Sequence, residues 1–138
     1  MKEKIVTITN KIEQLEVLVA ELEQIAEAWE LPMAFSMNLN LVLEELVTNI
    51  IFYGYTDEAP HEIHILFATD GQQIKLEISD DARAFNPLQA AEPDMNASIE
   101  DMKIGGLGIH LVKKIMDDIQ YQRVDDKNIL TLTKNLSS

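Results

Sequence analysis

Cysteine is absent from the 138 residues, which excludes a disulfide framework and any thiolate metal site. Basic residues are scarce: 11 Lys and Arg stand against 24 Asp and Glu, a net charge of −13. Nucleic-acid binding needs clustered cations to neutralise phosphate, so that class is set aside. No apolar run approaches the ~20 residues of a membrane span. The opening MKEKIVTITN has none of the apolar stretch of a signal peptide. The expectation is a soluble, cytoplasmic chain forming a single domain over 1–138. Its acidity serves either solubility or a partner with a basic surface.

What is present is patterned. Residues 4–9, KIVTIT, are β-branched and predict a strand. Ile12, Leu15, Leu18, Leu22, Ile25 and Trp29 recur at spacings of three and four, predicting a helix from Asn10, its N-cap, to Trp29. That stripe is either intramolecular core or the seam of a homodimer or partner interface. A second helix is predicted over 36–52, with Leu39, Leu43, Leu46 and Ile50 inward. Ile63, Ile65 and Phe67 alternate up to Asp70-Gly71, and Ile74, Leu76 and Ile78 alternate after it, which predicts a hairpin. Residues 81–104 carry no period and predict a long functional loop. A helix over 106–118 and strands near 119–124 and 129–134 complete the order, with a disordered tail at 135–138. The sequence β-α-α-β-β-loop-α-β-β predicts an α+β two-layer α/β sandwich. Its sheet is expected to be mixed but mainly antiparallel, with helices on one face.

Three features carry chemistry. Glu45 and Asn49 lie one turn apart on one helix face. Their oxygens suit a hard cation such as Mg²⁺, the carboxylate suits a general base, and a solvated polar face is the plain alternative. Asp80 shares the parity of Ile74, Leu76 and Ile78, so it points to the covered face at the strand end. A carboxylate there needs donors; an exocyclic amine of adenine is one source, and the following turn is another. Gly105-Gly106-Leu107-Gly108 opens a helix. It serves either as a phosphate cradle, through close backbone approach and the positive helix end, or as a hinge. His61, His64 and His110 have no metal-ligand spacing and read as structural.

In this order the features resemble the GHKL ATPase superfamily, the Bergerat fold, over residues 4 to 134. Within it they resemble the anti-sigma-factor serine/threonine kinases. Glu45-Leu-Val-Thr-Asn49 is similar to the family's N box, Asp80-Asp81-Ala82-Arg83-Ala84-Phe85-Asn86-Pro87 to its G1 box, and Gly106-Leu107-Gly108 to its G2 box. The resemblance implies Glu45 as general base and Asn49 as the Mg²⁺ ligand. It implies an ATP site of Asn49, Asp80, Ala84, Lys103, Gly105, Gly106, Leu107 and Gly108, with 81–104 as the lid. Departures are Ala82 and Ala84 for glycines, Tyr53 for a basic residue four places after Asn49, Ile104 for the lid's basic residue, and Lys127-Asn128 for Gly-Thr.

The activity so implied is transfer of the γ-phosphate of Mg·ATP to a Ser or Thr of a small antagonist protein, with a sigma factor as further partner. An alternative, favoured by the departures, is an ATP-binding module that sequesters a sigma factor or other regulator. A nucleotide-free scaffold is the third reading.

Overall fold

The computed structural model describes residues 2–89 and 106–136. Five strands form one sheet in the order β1-β2-β3-β5-β4: β1 Lys2–Thr9, β2 Glu62–Thr69, β3 Gln73–Asp80, β4 Asp118–Val124 and β5 Lys127–Asn135. Every pairing among the described residues is antiparallel; the mainly antiparallel sheet expected is found, without a parallel pair there. Among the described residues three α-helices accompany it: α1 Leu15–Ala28, α2 Met33–Tyr53 and α3 Gly106–Ile115.

The two-residue period of the strands builds the core. Cross-strand register lines up Val6, Ile65, Ile78 and Leu130 in one row, and Phe67, Leu76 and Leu132 in the next. All are buried. Alternate positions such as Ile5, Thr7, Glu62 and Lys75 are exposed, and His64, Leu66, Glu77 and Ser79 are half-buried, so the helices cover the other face of the sheet. Onto it α1 sets Leu18, Leu22 and Ile25, and α2 sets Phe35, Leu39, Val42, Leu43, Leu46 and Val47. α3 adds Ile109 and Val112, with Met116 just beyond it. The α1 stripe is therefore mainly core; Leu15 and Trp29 pack at its margin, and Ile12 remains 40% exposed.

Several ends differ from expectation. Asn10 does not cap a helix. Its carboxamide oxygen accepts from His61 N at 2.9 Å, and a short 3-10 turn over Ile12–Gln14 precedes α1. α2 begins three residues early because Pro32 stands as its N-cap, outside the helix, where a missing N–H costs nothing. α3 stops at Ile115, and Lys134 Nζ donates to the Ile115 carbonyl at 2.9 Å. The last hairpin is tighter than expected: Val124 pairs with Lys127, leaving only Asp125 and Asp126 in the turn, both at positive φ (51° and 62°). That is the geometry of a type I′ turn. Disorder from 135 onward is not seen in the described part. Asn135 ends β5, and Leu136 donates its N–H to the Gln72 carbonyl at 2.8 Å and packs on the core.

Candidate functional site

A cavity of about 240 Å³ opens where α2, the end of β3 and the β4–β5 hairpin meet. Its walls include Leu46, Asn49, Ile50 and Tyr53 from α2, Ile78 and Asp80 from β3, and Ala82 to Phe85 from the following turn. Ile109, Tyr121, Asn128 and Leu130 close it.

Asp80 sits in this cavity by register. On the covered face it lies between Ile63 of β2 and Asn128 of β5, and Arg123 of β4 pairs with Asn128. Asp80 is 5% exposed. Its Oδ1 accepts from Ala82 N and from Asn128 Nδ2, both at 3.0 Å. Burial pushes its carboxyl above the ordinary 3.8, and those two bonds with the Arg123 charge offset this only in part. The turn-capping alternative for Asp80 is thus realised, and it is realised inside the cavity.

Asn128 is the hub of the wall. Its Nδ2 also donates to the Arg83 carbonyl at 2.9 Å. Its Oδ1 accepts from Tyr121 OH at 2.5 Å, Arg123 Nη1 at 3.1 Å and Phe85 N at 3.3 Å. Arg123 Nη1 donates as well to the Ala82 carbonyl at 2.8 Å. Sequence reasoning noted Asn128 only as part of the Lys127-Asn128 departure and passed over Arg123 and Tyr121. The available signal was parity: Asn128 shares the face of Leu130 and Leu132 once the turn is shortened to two residues.

Asn49 reaches the cavity from about one turn before the end of α2. Its Nδ2 is buried and has no partner among the described residues, a state that costs about 1–3 kcal/mol. Glu45, one turn earlier, is not in the cavity wall. Its carboxylate lies against Gly108, where an added Cβ would overlap Oε2. The glycine therefore lets the start of α3 close onto the carboxylate, and its neighbour Ile109 lines the cavity. α3 opens at Gly106, so the amides of Gly106, Leu107 and Gly108 lack helical partners.

Ala84 lines the cavity, and neither it nor Ala82 needs positive φ, so alanine is unstrained at both places. The volume of Ala82 is accommodated by Gly54, where a Cβ would come within 2.7 Å of the Ala82 Cβ and 2.6 Å of the Ile50 carbonyl. Lys103, Gly105 and the 90–104 part of the expected lid lie outside the described residues. Residues 81–89 form a turn and a short 3-10 segment, Pro87–Gln89. Among the described residues, no group of three or more His, Asp or Glu is placed to hold a metal. No helix there is long and apolar enough to cross a membrane.

The chain is 34% identical over 116 residues to the serine/threonine-protein kinase BtrW of Bordetella bronchiseptica, covering 83% of this chain and 80% of that protein. It is 26% identical over 97 residues to the serine-protein kinase RsbW of Bacillus mycoides, and 25% identical over 87 residues to RsbW of Listeria monocytogenes. Those matches cover 67% and 60% of this chain, and 60% and 55% of the relatives. The family model for the histidine kinase-like ATPase domain matches residues 8–134. This chain belongs to the histidine kinase-like ATPase domain family.

Proposed function

We propose that the cavity is the nucleotide site of an ATP-dependent serine/threonine protein kinase acting on a small antagonist protein. The observation that carries this reading is the shared cavity of Asn49 and Asp80, with Glu45 held against the glycine start of α3 beside it. Both bonds to Asp80 fall on Oδ1, which leaves Oδ2 to accept from the exocyclic amine of adenine. The cavity is smaller than the roughly 300–1,000 Å³ of whole-ligand pockets, so it suits the base end. The phosphates then run toward α3, whose first amides have no intrahelical partner and whose positive dipole end favours anions.

Asn49 would hold Mg²⁺ through its carboxamide oxygen: its Nδ2 has no partner among the described residues, so the nitrogen does not tie the carboxamide to the protein there, and Mg²⁺ takes few protein ligands and keeps waters and phosphate oxygens. When bound, the ion offsets triphosphate charge in a protein of net charge −13. Glu45 removes the proton of the substrate hydroxyl. The Ser or Thr oxygen bonds to the γ-phosphorus as the bond to the ADP oxygen breaks, and ADP leaves; positioning supplies most of the rate. The named activities of the relatives support this reading. Under it the partners are the antagonist and a sigma factor, and ATP dependence implies the cytoplasm.

Glu45→Ala is expected to retain Mg·ATP binding and lose phosphotransfer by about 10²- to 10⁴-fold, the usual contribution of a general base. Transfer undiminished in the variant removes Glu45 from the mechanism. One observation favours a second reading, an ATP-binding sequestering module. Tyr53 lines the cavity where the family carries a basic residue, and Arg83, the one cation among the described lining residues, comes from the turn next to Asp80. Sustained nucleotide binding with no transfer to any antagonist selects that reading.

A further inference from the structure

One imidazole ties the loop after α2 to the acidic turn after β3. His61 Nε2 lies 2.8 Å from Asp57 Oδ1, and Nδ1 lies 3.1 Å from Asp81 Oδ2. A neutral imidazole has one donor, so both contacts are hydrogen bonds only in the imidazolium form. The ring stacks on Tyr55 at 4.2 Å between centroids and 15° between planes. Tyr55 OH donates to the other Asp81 oxygen at 3.2 Å. His61 is rooted from behind: its N–H donates to Asn10 Oδ1, and its carbonyl accepts from Asn10 N at 3.0 Å. The turn is fixed to the same loop a second time, by Arg83 N donating to the Gly54 carbonyl at 3.0 Å.

We propose that His61 is a positioning residue of the ligand site: its imidazolium bridges Asp57 and Asp81 and so holds the 80–83 turn, and with it Asp80, in the binding geometry. The proposal rests on the nucleotide reading above. The groups facing the ring are Asp57 from its own loop, Asp81 from the turn after β3, and the Tyr55 ring; Asn10, from the end of β1, is neutral. The bonds to Asp57 and then Asp81 raise His61 above the ordinary 6.5, against burial. The His61 bond holds Asp57 below 3.8. At Asp81 burial pushes upward, but the bonds and charge of His61 with the Tyr55 bond outweigh it and hold the carboxyl low.

The sign follows. A raised histidine pKa makes the bridge complete below 6.5 and breaks it as pH rises through the folded value. The depressed carboxyls keep it until pH falls through their own values. Asp57 and Asp81 side chains are 57% and 46% exposed, so screening limits the effect on affinity to about fivefold.

The test follows the His61 ring signals by NMR from about pH 5 to pH 9 alongside the Kd for Mg·ATP, in the full chain, His61→Gln and Asp81→Asn. The ring is expected to titrate above 6.5, and the Kd to weaken up to about fivefold through the same midpoint. His61→Gln should lack that step, and Asp81→Asn should move it to lower pH. Titration of ATP itself is common to all three proteins, and the parent and His61→Gln both keep Asp80 beside Asp81, so the difference between those two isolates His61. A ring titrating at its ordinary value, or a His61→Gln profile superimposed on the parent, overturns the proposal. Binding without pH dependence overturns it alone, whereas no binding at any pH removes the nucleotide reading as well.

Discussion

Asp80 is held in the cavity at a cost to the fold. Burial raises its pKa, so its contribution to stability is greatest below about 3.9 and is lost as pH rises through the folded value. Asp80→Asn keeps an oxygen for Ala82 N and Asn128 Nδ2 while removing the desolvated charge. It is expected to gain on the order of 1 kcal/mol at neutral pH, as stabilising changes at functional sites do. The gain should vanish in thermal melts run near pH 3, and nucleotide affinity should fall at least about tenfold. A variant less stable than the parent at pH 7 contradicts the assignment of burial as the dominant influence. Gly108 makes a separate prediction. A Cβ there meets the far end of Glu45, a side chain able to swing away. Gly108→Ala should therefore change stability by less than about 1 kcal/mol yet lower phosphotransfer about 10²-fold through the displaced base. Equal losses of stability and transfer point instead to general damage.

At the scale of elements, three non-glycine residues, Glu30, Asp125 and Asp126, sit at positive φ. Glu30 closes α1 at φ 54°, with Leu31 N donating to the Ala26 carbonyl at 2.9 Å, a Schellman-type end. Asp126 occupies the second place of the β4–β5 turn at φ 62°. Glycine adopts both conformations without penalty. Glu30→Gly and Asp126→Gly are each expected to stabilise by about 0.5–1 kcal/mol, raising the melting temperature by a few degrees without changing ligand affinity. A fall in melting temperature shows that side-chain contacts outweigh the strain. The Asp125-Asp126 turn also explains what could be read beforehand. Alternation in β3 announced Asp80 on the covered face, and the 3.6-residue stripe of α2 placed Glu45 and Asn49 off the core side. Register across four strands is not a local property. Reading a four-residue turn at 125–128 put Asn128 in a loop, so its bridge from Asp80 to Tyr121 and Arg123 stayed hidden. Asn10 misled for a related reason: its carboxamide satisfies His61, distant in sequence, instead of the helix that follows it.

For the whole molecule, the central claim is that one chain-wide fold brings three separated segments around a single ligand. α2 supplies Asn49, β3 supplies Asp80, and α3 supplies a glycine start pressed onto Glu45. The −13 charge opposes a triphosphate at long range, so binding should strengthen with Mg²⁺ and with moderate salt that screens repulsion. Calorimetric titration with Mg·ATP tests the claim most directly, on the unaltered chain, Asn49→Ala and Asp80→Asn. A single saturable site is expected in the unaltered chain, weakened at least about tenfold in each variant. No binding by the unaltered chain, or equal affinity in all three proteins, contradicts it.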